Sequence, residues 1–240
     1  MSVIAITVDV DGEAGLGEGF ALRLSSRSER VYGLVRGLPR VLGVLEEFAA
    51  PATFYFPGVT ALAWPDEARE VLARGHEIGH HGHTHTRPDL VADARAEIAD
   101  GLAALTSLGA DVRGYRAPCW ELSPATLAVL PEHFEWDSSL MGDDRPYPLE
   151  CGLLELPVHW SLDDAPFFPG DVRALEHTWR SELAVAAAEV RPLTFTLHPE
   201  ILGRPSRIDA LRRVLDDARR LGVTPIAHAA LAGSVGSAGG

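Results

Sequence analysis

Short apolar runs alternate with segments of helical period along almost the whole of this chain, and that alternation restricts its fold more than any other feature. Strands are expected at residues 3–10, 52–57, 77–81, 114–117, 134–138, 153–158, 193–197 and 224–228. Helical patterns fill about 36–49, 66–74, 89–107, 123–130 and 173–190. A last helix should start at Ser206 as N-cap, carry Ile208, Leu211, Leu215, Ala218 and Leu221 on one face, and stop at Gly222. Strand–helix alternation of this kind builds an α/β domain around a mostly parallel sheet. Seven or eight strands in 240 residues suggest a closed or nearly closed (β/α) barrel, and an open doubly wound sheet is the second choice. One domain over 1–231 is expected, with a Gly/Ser/Ala-rich tail at 232–240 left disordered. Residues 12–31 hold four glycines and no clear period, and read as a long loop after the first strand that serves as passive surface, lid or subunit contact.

The net charge of −13 disfavours nucleic acid and anionic membrane surfaces as partners, because a folded polyanion repels both. No apolar stretch is long enough to span a bilayer. The N-terminal run lacks a basic region and meets Asp9 almost at once, which reads as a first strand instead of a secretion signal. Cys119 and Cys151 form no C-x-x-C pair. A reduced, cytoplasmic protein is the expectation, and a homo-oligomer is compatible with all of this.

Chemistry concentrates at the predicted strand ends. Five of the ten histidines lie within Gly75-His76-Glu77-Ile78-Gly79-His80-His81-Gly82-His83-Thr84-His85. Neutral imidazole is the commonest metal ligand, and Gly79 and Gly82 should let the strand end bend enough to aim two rings at one ion. A solvated polar loop with incidental histidines is the plain alternative. Asp9 and Asp11 stand two apart on a strand and so face the same way. Two such acids need a cation or an arginine to neutralise one of them; a calcium-binding turn or a helix cap would also suit them. Arg116, in Tyr115-Arg116-Ala117-Pro118-Cys119-Trp120, could hold an acid in place. Asp137, in Trp136-Asp137-Ser138-Ser139, and His198, in Leu197-His198-Pro199, end two further strands. In α/β barrels and open sheets alike, sites assemble at the C-terminal ends of the strands. One acid and two histidines make a three-ligand set with open positions, as catalytic zinc requires. A second acid and a distant histidine remain for proton transfer.

The order of these motifs resembles the polysaccharide deacetylase (NodB-homology, carbohydrate esterase 4) family. The matching stretches are Thr7-Val8-Asp9-Val10-Asp11-Gly12, Pro51-Ala52-Thr53-Phe54-Tyr55-Phe56, residues 75–85, Arg116 to Pro118, Trp136 to Ser139 and Leu197-His198-Pro199. The resemblance implies a distorted (β/α)7–8 barrel. It implies Asp11, His81 and His85 as ligands of Zn²⁺ or another divalent transition metal, with Asp9 as general base and His198 as general acid. Arg116 would orient the base, the Cys119 N–H would hold the oxyanion beside Trp120, and Asp137 would tune His198 or pair with Arg116. Val10 separates acids that the family keeps adjacent, and Cys119 replaces an aromatic residue. Residues 137–147, 154–168 and 203–207 are similar to a subgroup of peptidoglycan-deacetylase-like and cyclic-imide-hydrolase-like proteins. An allantoinase branch that works without metal lacks the histidine pair present here. The implied reaction is metal-dependent hydrolysis of a non-peptide carbon–nitrogen bond. N-deacetylation of an amino-sugar compound comes first, opening of a small cyclic imide second, and a non-catalytic binding module of the same fold third. The partner is then a small molecule or oligosaccharide.

Overall fold

The computed structural model describes residues 2–16 and 23–236. The β-branched opening run forms β1 (Val3–Asp9), whose last six residues are buried. Its period of two sends Ile4, Ile6 and Val8 into the main apolar core between sheet and helices. Ala5, by contrast, packs inside the barrel with Trp136, Leu156 and Leu231. Thr7 and Asp9 share the parity of Ala5, so the same alternation that builds the core carries Asp9 to the inner rim.

After β1 come a 3-10 turn (Gly12–Leu16), α1 (Leu24–Tyr32), α2 (Leu38–Glu47), β2 (Thr53–Phe56), α3 (Gly58–Ala63), α4 (Pro65–Ala73) and β3 (Glu77–His80). The chain continues through α5 (Ala94–Ser107), β4 (Gly114–Tyr115), α6 (Pro124–Leu127), β5 (Trp136–Asp137), β6 (Tyr147–Pro148) and β7 (Leu154–Glu155). It finishes with α7 (Val172–Ala188), β8 (Leu193–Leu197), α8 (Ile208–Leu221), β9 (Thr224–Ile226) and α9 (His228–Gly236). The sheet runs β6-β7-β5-β4-β3-β2-β1-β8, with β9 on the start of β1. Every pairing is parallel except β6 with β7.

The curl of this sheet brings β8 round towards the β7 side, and the gap is bridged by a segment that is not a strand. Asp163 forms a single parallel bridge with Thr196, and the Asp164 N–H donates to the Thr196 carbonyl at 3.1 Å. The result is a distorted (β/α) barrel, as expected, in which the segment after β7 meets β8 through this short bridge.

Several local expectations need correction. Residues 12–31 are not a featureless loop: they hold the 3-10 turn and most of α1, with 17–22 outside the described residues. Strand β6 and helix α3 carry too few residues to show a period, and neither was anticipated. The N-cap of α8 is Arg207, without a side-chain cap, and not Ser206; Gly222 ends that helix in the left-handed region as expected. Residues 232–236, expected to be disordered, continue α9, and 237–240 lie outside the described residues. No helix among the described residues is long and apolar enough to cross a membrane.

Candidate metal centre and active site

Two glycines let the chain leave its strands abruptly beside the barrel mouth. Gly12, directly after Asp11, and Gly82, between the two histidines, adopt φ of +56° and +72°, which side chains with a Cβ resist. Gly79 acts differently from expectation. It remains in β3, and a Cβ there would lie 2.5 Å from the Tyr55 ring, so it permits close packing and not a bend. His85 itself takes a positive φ of 59°. A non-glycine residue in that region is held there by its surroundings, a common feature of functional sites.

These turns bring Asp11, His81 and His85 together. His85 Nε2 lies 3.2 Å and His81 Nε2 3.5 Å from Asp11 Oδ1. His81 Nδ1–H donates to the Arg116 carbonyl at 2.9 Å, which fixes the tautomer and leaves the Nε2 lone pair directed at the carboxylate. Asp11 Oδ1 is buried and finds no hydrogen-bond donor. Lone pairs facing one another in a buried site repel unless something positive stands between them. Burial opposes ionisation of Asp11, and it is positive charge at the His85 and His81 positions, which a bound cation would supply in place of protons, that holds its carboxyl well below the usual range. An orphaned oxygen, an oriented imidazole and an Asp/His/His donor set suit a divalent transition metal. His80 is not part of this set: it is buried against α5, where Nδ1 accepts the Gly82 N–H at 3.1 Å and Nε2–H donates to the Ile98 carbonyl at 3.2 Å. Burial pushes its pKa down to about 3, so it serves as a neutral brace for the turn.

On one side of the trio, Asp9 is gripped by Arg116, whose Nη1 donates to Asp9 Oδ1 at 2.7 Å and to Thr7 Oγ1 at 2.8 Å. Arg116 is itself fully buried. Its Nε and Nη2 donate to the carbonyl and hydroxyl of Ser138, each at 3.0 Å, and its guanidinium lies 4.3 Å from the Tyr55 ring centroid. Asp9 Oδ2 lies 3.9 Å from His81 Nε2.

On the other side stands His198. Its Nδ1–H donates to Asp164 Oδ1 at 2.7 Å, and its backbone N–H reaches the same carboxylate at 3.0–3.1 Å. Asp163 Oδ1 is 3.5 Å from the same nitrogen. Burial alone would discharge His198, but Asp163 and Asp164 outweigh it and hold the imidazolium well above histidine's usual range. Burial, with Asp164 adjacent, pushes Asp163 up to about 7.

Asp9, Asp11, His81, His85, Cys119, Trp120 and His198 line one open cleft, together with Arg30, Trp160 and Asp163. Cys119 and Trp120 both adopt positive φ, 58° and 57°, which turns their backbone sharply at the rim. The Trp120 and Trp160 rings meet at 4.4 Å between centroids with their planes tilted by 38°. Arg30, delivered by α1, reaches Asp11 Oδ2 at 3.4 Å and pairs with buried Glu200. Asp137 departs from the expectation that it would tune His198 or pair with Arg116. It sits beneath the cleft, accepting a 2.7 Å hydrogen bond from the Ser139 hydroxyl opposite Glu155. Asp164 takes the place beside His198, and Arg30, Ser138, Ser139, Glu155 and Glu200 were not singled out from the sequence. The consecutive Asp163-Asp164 just after an apolar stretch was the available signal for the first of these.

A family model for polysaccharide deacetylase matches residues 32–133. The solved structure of a putative polysaccharide deacetylase from Mycobacterium smegmatis is 36% identical and superposes with a TM-score of 0.89, covering 98% of this chain and 90% of that one. The peptidoglycan deacetylase of Helicobacter pylori is 27% identical over 85% of either chain. A chitooligosaccharide deacetylase of Sinorhizobium fredii is 38% identical over 52% of this chain and 51% of its own length. With the full-length likeness to the mycobacterial protein at this identity, the chain belongs to the polysaccharide deacetylase family of amide-bond hydrolases.

Proposed function

We propose that this protein is a metal-dependent N-deacetylase of an amino-sugar compound. The observation that carries this reading is the flanking of one Asp/His/His set by an arginine-held carboxylate and by an imidazolium backed by aspartate. Asp11, His81 and His85 would hold a divalent ion, and zinc matches their mixture of one carboxylate and two imidazoles best. Such an ion, when bound, polarises an acyl oxygen and acidifies a water molecule. Asp9, oriented by Arg116, takes the proton of the water that attacks the acyl carbon. The Cys119 N–H donates to the oxygen that gains charge, a contribution of about 3–4 kcal/mol for a well-placed donor. His198 enters as the imidazolium and protonates the departing nitrogen from Nε2, because Nδ1–H is committed to Asp164. Water and amide become acetate and free amine, and the proton taken by Asp9 is balanced by the one His198 gives.

Trp120 and Trp160 at the cleft support a sugar-type substrate, since flat aromatic faces pack against the apolar face of a pyranose ring. The names of the relatives, peptidoglycan and chitooligosaccharide deacetylases, agree with it. Release of acetate from N-acetylglucosamine oligomers and from peptidoglycan fragments by the zinc-loaded protein is the test, run beside five- and six-membered cyclic imides. Turnover confined to the imides would replace the amino-sugar reading with imide hydrolysis.

A further inference from the structure

Two carboxyl groups that the proposed chemistry does not use stand directly opposite one another in the barrel wall. Asp137 on β5 and Glu155 on β7 are partners in parallel register, and both are wholly buried. Asp137 Oδ1 accepts the Ser139 hydroxyl at 2.7 Å, and Glu155 Oε1 accepts the N–H groups of Ser139 and Leu140 at 3.0 and 2.9 Å. The remaining oxygens, Asp137 Oδ2 and Glu155 Oε2, are buried with no partner. Two ionised carboxylates cannot stand side by side in such a place without a compensating charge. The groups that face them are Arg116 and Tyr115 from the β4 side and Tyr147 from β6. Both phenols are neutral, being pushed up by burial and by these carboxyls, and Arg116 is already committed to Asp9. One proton between the two acids provides the missing donor and removes one charge.

We infer that Asp137 and Glu155 share a single proton and, through Ser138 and Ser139, position Arg116 and the Ala117 amide beside the active site. This rests on the reading of Arg116 as the group that orients Asp9. The linkage is short. Ser139 Oγ donates to Asp137 and accepts the Ala117 N–H at 2.8 Å, two residues before Cys119. Ser138, its neighbour, receives two of the Arg116 hydrogen bonds. Loss of the shared proton places two anions under this turn and loosens both. Burial, with Asp137 adding to it, pushes Glu155 up to about 10, so the lock holds at neutral pH.

The experiment compares wild type with Glu155→Gln, an isostere that donates to Asp137 at every pH, and with Glu155→Leu, which cannot. Thermal midpoints are recorded from pH 6 to 10, and kcat and KM for an N-acetylated oligomer over the same range. In wild type the folded state keeps Glu155 protonated while the unfolded chain ionises it above about pH 4.5, so the midpoint should fall as pH rises towards 10. Glu155→Gln should flatten that fall and carry activity further into alkaline pH. Glu155→Leu should lose at least tenfold in kcat with KM and zinc content kept. A wild-type slope unchanged in Glu155→Gln overturns the shared proton, and a full kcat in Glu155→Leu overturns the positioning role. The thermal midpoints need no substrate, so they test the shared proton even if the deacetylase reading fails, and they decide it if Glu155→Leu does not fold.

Discussion

Replacing Asp164 with asparagine removes one charge from the group behind His198 and almost nothing else. Asp164 has no solvent exposure, so its interaction with the imidazolium is little screened. Its carboxylate takes the Nδ1–H at 2.7 Å and the backbone N–H at 3.0–3.1 Å, and an asparagine Oδ1 could still accept either. A hydrogen bond to a charged group contributes about 1.5–3 kcal/mol, which is roughly 10- to 150-fold in the protonation equilibrium. The sign follows from which form is held. Asp164 favours the charged imidazole, so its loss lowers the pKa of His198 and the acid form disappears at a lower pH. The alkaline limb of the kcat profile should therefore move down. Activity well below the wild-type alkaline limb should be nearly kept, and activity on that limb should fall about tenfold or more. Asp163, at 3.5 Å, prevents a complete collapse. Zinc content by elemental analysis separates this from damage to the metal set. An alkaline limb in the same place as wild type, with the variant folded and metal-loaded, would refute the reasoning.

His81→Ala and His85→Ala should each lower bound metal well below one equivalent, because each removes one imidazole aimed at Asp11 Oδ1; stoichiometric metal in both would remove them as ligands. Asp9→Asn should cut kcat by about 10²–10⁴ with metal retained, and near-normal turnover would exclude Asp9 as the base. Gly79→Ala drives a Cβ to 2.5 Å from the Tyr55 ring, and overpacking of this kind costs about 1–3 kcal/mol. At roughly 2–4 °C per kcal/mol for a chain of this size, the thermal midpoint should fall by about 2–12 °C, and an unchanged midpoint would show that Tyr55 can yield freely.

Strand–helix alternation, the first-strand acids and the histidine-rich turn were legible in the sequence because each depends on residues close together in it. A period of two fixes which face Asp9 occupies whatever the rest of the chain does, and Gly12 and Gly82 permit turns that other residues resist. The Asp11, His81 and His85 set could therefore be anticipated from local spacing, family resemblance and strand-end position. The tertiary structure decided the supports. Asp164 meets His198 across 34 residues, Arg30 meets Glu200 across 170, and Ser138 meets Arg116 across 22. None of these contacts has a periodic signature, and Asp163 and Asp164 lie in a segment that meets β8 without being a strand. Asp137 shows the difference most sharply. Its place at a strand end suggested a role in the cleft, yet the register of β5 against β7 set it opposite Glu155 in the buried interior. Burial and an adjacent acid change what a carboxyl group can do, and both are set by which strands become neighbours after the sheet has curled.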